Sequence, residues 1–362
     1  MSYELETDLL EFDTEFEADM EAEPESDPEG ESLLTHPSFG YGRRVSAEWE
    51  AAEPEAGPLL THPTLGVGRL VSAEAEFEEE IEGEEEILGA DDRKVVRNTT
   101  AAPYRWVCCL DLYYPDPDDS KKLQFYRGSG TLIGEKHVLT CGHNLVNNIE
   151  GSKGTTRKLA VKRIVVTPGR NGAATTARGK APFGKCRAAS CRTSDQWKAS
   201  LDRQYDFGLI KLQRNLGGGS TGYWGSPSKG QKTKIEVVDP SAMSGKILNL
   251  SGYPGDKCKD QPPVGSASKA MIQACAESDW ASAQWRASGS VVNPSPSGNP
   301  RLIVYNPDTF GGHSGSPVWF YYANGVRNLI AIHTGNWPPL SANRGVRLTA
   351  ENLNLVKKWM ST

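Results

Sequence analysis

One stretch of the sequence decides the fold class, namely Gly128-Ser-Gly-Thr-Leu-Ile-Gly-Glu-Lys-His-Val-Leu-Thr-Cys-Gly-His143. It holds two short apolar runs separated by a polar turn, and the second run ends in a glycine and a histidine. Short β-rich runs between turn residues are typical of antiparallel strands. The pattern continues through the rest of the chain from Tyr104 onward and predicts an all-β sandwich or barrel.

Eleven segments of this body match the strand pattern, and one segment matches a helix. The predicted strands are Tyr104–Leu112, Leu123–Ile133, His137–Thr140, Leu159–Val166, Phe207–Leu212, Lys234–Val238, Lys246–Ser251, Lys269–Ala274, Arg301–Tyr305, Ser316–Tyr322 and Leu329–Thr334. A C-terminal helix is predicted after Thr349, which can cap it, because Leu353, Val356 and Met360 recur at helical spacing.

The charge distribution divides the 362 residues into two parts. Residues 1–86 carry 27 acidic residues against 3 Arg and no Lys, a net charge of 3 − 27 = −24. Residues 87–362 carry 37 basic and 19 acidic residues, a net charge of 37 − 19 = +18. We therefore predict an acidic arm, 1–86, and a basic folded domain, 87–362. No run of 18 apolar residues occurs, which excludes a transmembrane helix and predicts a chain without a membrane partner.

The arm combines a region of dense charge with an internal repeat. From Met1 to Glu31 isolated apolar residues stand among carboxylates, a composition that predicts disorder. Residues 33–48 then recur at 59–74 with 12 of 16 positions identical. The repeats are interpreted either as a pair of docking motifs or as a duplicated linker. The repeats contain His36 and His62, but two histidines alone are weak evidence for a shared metal site.

Seven cysteines, an odd number, leave at least one thiol unpaired within a single chain. Cys186 and Cys191 could close a small loop, and Cys258 and Cys275 a longer one. Adjacent Cys108 and Cys109 should face opposite sides of a strand. No CxxC pair occurs, so zinc is not expected, and we predict neither a metal site nor a cofactor.

Three segments carry residues suited to nucleophilic catalysis. His143 stands at a strand end, where a general base can be aimed rigidly. Asp206 opens an otherwise apolar strand and can fix the tautomer of a neighbouring histidine. Ser314 lies in Gly311-Gly-His-Ser-Gly315, where the backbone amides of Gly312 and Ser314 could form an oxyanion hole. The order His, Asp, Ser on an all-β pattern predicts a serine hydrolase triad.

The domain resembles the bacterial glutamyl endopeptidases, secreted serine proteases of the chymotrypsin fold. The resemblance spans about residues 87–362, leaves the arm uncovered, and is carried by short segments in the same order. They are Gly89-Ala-Asp-Asp-Arg93, Arg97-Asn-Thr-Thr100, Pro103-Tyr-Arg105, Thr167-Pro-Gly-Arg-Asn-Gly172, Tyr205-Asp-Phe-Gly208, Ser251-Gly-Tyr-Pro-Gly-Asp-Lys257, Asp308-Thr309, Ala331-Ile-His-Thr334 and Asn343-Arg-Gly-Val-Arg347. The resemblance implies two six-stranded antiparallel barrels with the active site between them.

The same resemblance implies a role for each matching residue. His143 would be the general base, Asp206 its orienting carboxylate and Ser314 the acylating nucleophile, with Asp202 as the fallback carboxylate. His333 and Thr309 would bind a Glu side chain, and less well Asp, at the cleaved position. Cys141 departs from the small residue usual two positions before the histidine. His313 stands where trypsin-like zymogens have Asp, and it receives no catalytic role.

The family's propeptide implies that residues 1–86 are an inhibitory prosegment, cleaved after Glu84, Glu85 or Glu86. The expected partners are substrates with Glu at the cleaved position and the protein's own acidic arm. We expect the protein to be a monomer that binds no nucleic acid. The family implies secretion. Because the arm has no basic start followed by an apolar core, we expect export by a route other than an N-terminal signal peptide, and the alternative is a cytoplasmic protein. Two further functions stay open: a serine peptidase of other specificity, and a catalytically silent binding module on a protease fold.

Overall fold

The computed structural model describes residues 10–11, 33–36, 40–46, 87–151, 153–172, 176–226, 232–257 and 282–362. Its strands are β1 (Leu10–Glu11), β2 (Leu33–His36), β3 (Gly40–Ser46), β4 (Lys94–Val95), β5 (Val107–Asp116), β6 (Asp119–Leu132), β7 (His137–Thr140), β8 (Val146–Glu150), β9 (Thr156–Ala160), β10 (Arg163–Pro168), β11 (Cys186–Thr193), β12 (Gly208–Leu212), β13 (Thr233–Lys234), β14 (Ile247–Gly252), β15 (Trp285–Asn293), β16 (Leu302–Tyr305), β17 (Pro317–Tyr321), β18 (Arg327–Trp337) and β19 (Ala342–Arg347).

The helices of the described residues are few and short. The α-helices are α1 (Ala177–Lys180), α2 (Asp195–Ser200) and α3 (Ala350–Met360). Single 3-10 turns cover Tyr104–Trp106, Arg203–Tyr205, Pro240–Met243, Pro296–Gly298 and Pro338–Leu340. None of the helices in the described part of the chain is long and apolar enough to span a bilayer.

The first barrel closes on six antiparallel strands in the order β6-β5-β10-β11-β12-β7. The closing pair is β7 with β6, where Leu139 lies opposite Thr131. β5 is buried on both faces. Cys108 packs into the barrel core, whereas Cys109 packs with Tyr253 of the second barrel, as alternation along a strand requires. A strand buried on both sides is almost continuously apolar, and this made β5 recognisable in the sequence.

The second barrel closes in the same way, in the order β18-β17-β14-β15-β16-β19. Its closing pair is β18 with β19, where His333 lies opposite Gly345. The fold class predicted from the sequence, two closed six-stranded antiparallel barrels, is therefore confirmed. The division of the chain at residue 86 stays a prediction.

The two barrels are joined by aromatic packing as well as by backbone contacts. Trp224 contacts both Trp106 and Trp319, with ring centroids 5.3 and 5.8 Å apart. Helix α3 follows the second barrel but packs on the first, where Trp359 stacks on Phe207. The Thr349 hydroxyl caps this helix by accepting from Asn352 N, as predicted. Its fully buried residues are Asn352, Val356 and Trp359, and Met360 packs partly buried against the same core, as predicted. Leu353 of the predicted face is only half-buried.

Most predicted strands lie where a strand is observed, but several regions differ. Leu159–Val166 is wrong as a single strand, because the chain changes partner at Val161: β9 pairs with β8, and β10 pairs with β5. Predicted strand Lys234–Val238 overlaps β13 only at its first residue. The sequence pattern missed β4, β8, β11, β15 and β19 of the body and β1, β2 and β3 of the arm. The predicted strand Lys269–Ala274 lies outside the described residues.

The first repeat copy contributes a hairpin to the first barrel. β2 pairs with β3, and β3 runs antiparallel beside β6, with Gly42 opposite Tyr126 and Ser46 opposite Lys122. A further two-residue strand, β1, pairs with β11. The second repeat copy, the Glu-rich junction and most of the stretch predicted as disordered lie outside the described residues.

The disulfide between Cys186 and Cys191 that the sequence left possible is not formed. The five cysteines that the structure describes are all free thiols. Cys186 and Cys191 lie on the same strand, β11. Five residues of extended chain span roughly 16 Å, and a disulfide needs Cα atoms within about 7 Å. Cys258 and Cys275 lie outside the described residues.

Candidate active site

His143 lies just beyond the end of β7 and is held by a single carboxylate. Its backbone N–H donates to Asp206 Oδ1 at 2.8 Å, and its Nδ1 contacts Asp206 Oδ2 at 2.7 Å. Gly142 permits this turn, since a Cβ there would lie 2.8 Å from both Thr193 Oγ1 and Trp197 Cδ1. Both oxygens of Asp206 thus serve one residue, which fixes the ring and leaves Nε2 pointing away from the carboxylate.

Asp202, the fallback carboxylate, has a different partner. Its side chain accepts from Gln204 N at 3.0 Å and caps the 3-10 turn Arg203–Tyr205. Asp206 follows that turn directly and precedes β12. The structure thus brings Asp206, the preferred residue, against the imidazole.

Ser314 is positioned from the first barrel although it belongs to the second. Its carbonyl oxygen accepts from Ser129 N at 2.8 Å and from Asn144 Nδ2 at 2.9 Å. Asn144 is the residue after His143, so one short segment carries the imidazole and holds the serine backbone. Gly315, with φ of +88°, allows this approach, because a Cβ there would lie 2.0 Å from Ser129 O.

The turn before Ser314 is also tied to the first barrel. Ser129 Oγ donates to Gly312 O at 2.8 Å and accepts from Tyr253 N at 2.9 Å. Gly312 has φ of +105°, and a Cβ on it would lie 2.5 Å from Tyr253 O. Only glycine fits this position, and the peptide that follows it is fixed in orientation.

Charge and burial set opposite protonation tendencies on two histidines of this site. Burial alone would lower the pKa of His143, but the Asp206 carboxylate raises it well above the usual range. Burial lowers the pKa of His313 well below its usual range, and the positive charge of Arg93 adds to this. Phe310 N donates to His313 Nδ1 at 3.2 Å, which also requires a neutral ring on that side. His313 is therefore a neutral imidazole.

The predicted pocket residues, Thr309 and His333, are fully buried. Thr309 precedes Ser314 by five residues, and the His333 backbone pairs with the residue after Ser314. Gly315 N donates to His333 O at 2.9 Å, which links the serine turn to β18. Thr309 Oγ1 is buried and has no hydrogen-bond partner among the described residues. A buried hydroxyl of this kind is suited to a polar guest, because leaving it unsatisfied costs about 1–3 kcal/mol.

The tautomer of His333 follows from its neighbour Tyr305. The Tyr305 hydroxyl donates its one proton to Arg344 O at 2.9 Å. Its oxygen contacts His333 Nδ1 at 2.7 Å and must accept there, so Nδ1 carries a proton. His333 can then donate from Nε2 as well only when it is an imidazolium.

The chain segment at the predicted domain boundary lies against the pocket. Leu88 N and Asp92 N donate to the two oxygens of Asp308, at 2.7 and 2.9 Å. Asp308 immediately precedes Thr309. Arg93 forms buried ion pairs with Asp91 and Asp256 and anchors the same segment. The first residues of the predicted domain are therefore part of the structure that supports Thr309.

The candidate catalytic residues are buried. The exposed fractions of His143, Asp206 and Ser314 are 2, 1 and 1 %.

Sequence reasoning marked Cys141 only as a departure from a family pattern, yet its thiol lies at the centre of the site. Cys141 Sγ lies 3.3 Å from His143 Nε2 and is fully buried. Burial raises the pKa of this thiol. Ligand atoms of Cys141, His143 and Asp206 all lie within 4.8 Å of one another, although no metal site was predicted. The local sequence Thr-Cys-Gly-His places Cys141 near the histidine but could not indicate which ring nitrogen it would face.

Comparisons with known proteins agree with this fold. The chain is 28% identical over 282 residues to the glutamyl endopeptidase of Bacillus licheniformis, covering 76% of this chain and 69% of that protein. It is 27% identical over 273 residues to the extracellular metalloprotease of Bacillus subtilis, covering 75% and 69%. No protein-family model matches the chain.

Among solved structures, the Glu endopeptidase in complex with MPD matches with a TM-score of 0.52 and 24% identity. The match covers 76% of this chain and 99% of that one. The chain is therefore similar to a glutamyl endopeptidase and shares the chymotrypsin-like fold of two barrels, as the sequence resemblance implied.

Proposed function

We propose that this protein is a serine endopeptidase in which His143, Asp206 and Ser314 form the catalytic triad. The observation that carries the proposal is the pair of contacts around Asn144. Asp206 binds two atoms of His143, the residue before Asn144. The Asn144 side chain in turn donates to the Ser314 carbonyl oxygen. These contacts bring the Ser314 backbone to the segment that carries His143 and its carboxylate, which supports a triad of the three residues.

The reaction proceeds in two stages through an acyl-enzyme. Ser314 Oγ attacks the peptide carbonyl while His143 Nε2 takes the serine proton and then gives it to the leaving amine. The backbone N–H groups of Gly312 and Ser314 stabilise the oxyanion. Water, deprotonated by the same Nε2, then releases the acid product and regenerates Ser314. Asp206 stabilises the imidazolium that forms in each stage.

The proposed specificity is for Glu, and less well Asp, at the cleaved position. A buried substrate carboxylate needs charge-assisted hydrogen bonds to offset its loss of hydration. Thr309 supplies a buried hydroxyl without a partner among the described residues, and His333 supplies an imidazolium N–H when protonated. The net charge of +18 on residues 87–362 also attracts acidic peptides. That one relative is named a glutamyl endopeptidase supports this assignment.

We propose further that residues 1–86 are a prosegment and that cleavage after Glu84, Glu85 or Glu86 activates the enzyme. The nearly inaccessible serine, the opposite charges of the two parts and a Glu-rich junction all support this. Wild type should shorten by about 86 residues, whereas Ser314→Ala should stay intact. Uncut wild type with full peptidase activity would contradict the proposal. An extracellular site of action is proposed from the relative named extracellular.

The first experiment is cleavage of a fluorogenic peptide panel with Glu, Asp, Gln, Phe and Arg at the cleaved position. It should use wild type before and after limited proteolysis, with Ser314→Ala as the matched control. Cleavage after Glu that disappears in the variant supports the whole proposal. Cleavage after other residues indicates a serine peptidase of other specificity, and no cleavage at all indicates a binding module.

A metal-dependent peptidase is a second candidate function. The cluster Cys141, His143 and Asp206 favours it, as does the name of the second relative. A chelator should then abolish cleavage, while a serine-reactive phosphonate should leave it intact. The serine mechanism predicts the reverse result for both reagents.

A further inference from the structure

Cys141 and His143 present two metal-binding atoms to each other at the active site. Cys141 Sγ lies 3.3 Å from His143 Nε2, and both side chains are buried in the first barrel. Zinc binds thiolate sulfur at about 2.3 Å and imidazole nitrogen at about 2.0–2.1 Å. Tetrahedral coordination therefore separates the two ligand atoms by roughly 3.5 Å. The observed separation is close to that value without any rearrangement.

The third member of the cluster orients the imidazole for binding a metal. Asp206 Oδ2 accepts from His143 Nδ1, so the neutral ring carries its lone pair on Nε2. A carboxylate that holds the distal nitrogen of a ligating histidine is the usual outer-shell partner in metal sites. The pairing that prepares Nε2 to accept a proton from serine thus prepares it equally to bind a cation.

We propose that Cys141 Sγ and His143 Nε2 form a binding site for a thiophilic divalent cation such as Zn²⁺ or Cd²⁺, whose occupation switches the peptidase off. Binding releases the thiol proton to solvent and changes no oxidation state. The cation occupies the lone pair that the serine proton requires, so metal and catalysis exclude each other. This consequence rests on the proposed function, but the binding site itself does not.

The ligand set indicates inhibition rather than metal catalysis. Both Asp206 oxygens already accept from His143, at 2.8 and 2.7 Å. The cluster therefore offers two protein ligands, whereas catalytic zinc sites offer three and keep a fourth position for water. The remaining positions on the cation would be filled by water, which makes the site weaker than a structural zinc site and reversible by chelators.

Direct binding is the decisive experiment, and it needs no peptidase activity. Full-length Ser314→Ala, which cannot process itself, is titrated with Cd²⁺ while the thiolate-to-cadmium charge-transfer absorption is recorded. One equivalent should bind and produce the band. The band should disappear in Ser314→Ala/Cys141→Ala and in Ser314→Ala/Cys141→Ser. It should persist in Ser314→Ala/Cys191→Ala, because Cys191 is not a proposed ligand. Cys191 is a matched control, since it is equally buried in the same barrel.

Thermal unfolding of each variant establishes that it is folded, and Cd²⁺ should raise the midpoint only where Cys141 is present. A band that survives in folded Cys141 variants would overturn the proposal, as would no binding by Ser314→Ala. These outcomes do not depend on whether the protein is a peptidase.

Inhibition is tested separately on the active, processed protein. Zn²⁺ should inhibit cleavage, and EDTA should restore it. The concentration for half-inhibition, measured against each variant's own metal-free rate, should rise at least tenfold in Cys141→Ala and stay unchanged in Cys191→Ala. Equal sensitivity of wild type and Cys141→Ala would overturn the proposed switch. An inactive wild type that still binds Cd²⁺ through Cys141 would contradict the proposed function and leave the metal site standing.

Discussion

The two barrels have the same closed six-stranded architecture but treat their buried histidines in opposite ways. In the first barrel, Asp206 binds His143 at two atoms and raises its pKa well above the usual range. In the second barrel, His333 is paired with the neutral Tyr305 hydroxyl, and burial with nearby Arg93 lowers the pKa of His313. In the function that we propose, the first barrel supplies the proton acceptor and the second barrel supplies the pocket for the substrate side chain.

Under the proposed function, the partners of each histidine, rather than the strands, divide the catalytic roles between the two barrels. A carboxylate beside His143 supports a positive ring during the reaction. A carboxylate beside His333 would compete with the Glu side chain of a substrate for the same proton. The following four predictions test this division, from the largest expected effect to the smallest.

Replacing the nucleophile should cause the largest loss. Ser314→Ala removes the only atom proposed to form the acyl-enzyme, and kcat should fall about 10⁶-fold, by analogy with serine proteases in general. Peptide hydrolysis and active-site titration with a serine-reactive reagent measure the effect. Residual kcat above one per cent of wild type would show that another group, such as the Cys141 thiol, performs the attack.

Breaking the first barrel's ion pair should come next. Asp206→Asn leaves His143 with the wrong tautomer, and kcat should fall about 10⁴-fold. The base acts only when neutral, and wild-type His143 has a raised pKa, so kcat/KM should rise with pH through a midpoint above about 6.5. In the variant that midpoint should move to lower pH. A midpoint that does not move would show that Asp206 does not set the pKa of the group whose deprotonation activates the enzyme.

Altering the second barrel's pocket should change specificity more than chemistry. His333→Gln removes the charged donor proposed for the substrate carboxylate, which is worth about 1.5–3 kcal/mol. The ratio of kcat/KM for Glu over Gln substrates should therefore fall roughly 10- to 150-fold. The Gln substrate itself should be cleaved at a similar rate by both forms. An unchanged ratio would exclude His333 from the pocket.

The smallest effect is expected at the residue that orients the pocket histidine. Tyr305→Phe removes one neutral hydrogen bond to His333, worth about 0.5–1.5 kcal/mol. The Glu over Gln ratio should fall roughly 2- to 10-fold, while the pH midpoint of kcat/KM that is assigned to His143 should stay unchanged. A shift of that midpoint would show that a residue of the second barrel changes the pKa of His143. It would contradict the division of roles between the two barrels.

Elements with strong local signals could be predicted from the sequence. β7 was predicted at its observed bounds because a polar turn, an apolar run and a glycine delimit it. Helix α3 was predicted from its Thr349 cap. β19 was missed because half of its residues, Ala342–Arg347, are polar, yet all six are buried. Backbone carbonyls accept from these polar side chains: Asn343 Nδ2 donates to Pro307 O, and Arg344 Nη1 donates to Asn336 O.

The sequence by itself determined the all-β class, the charge division at residue 86 and the candidate residues His143, Asp206 and Ser314. These depend on composition, on alternation and on short motifs, all of which are local. Only the tertiary structure decided that Cys186 and Cys191 do not pair, that His143, Asp206 and Ser314 are buried and that Cys141 faces His143 Nε2. Such facts depend on side-chain directions and on distances set by barrel closure, which joins residues 63 to 170 positions apart. No local pattern encodes a distance of that kind.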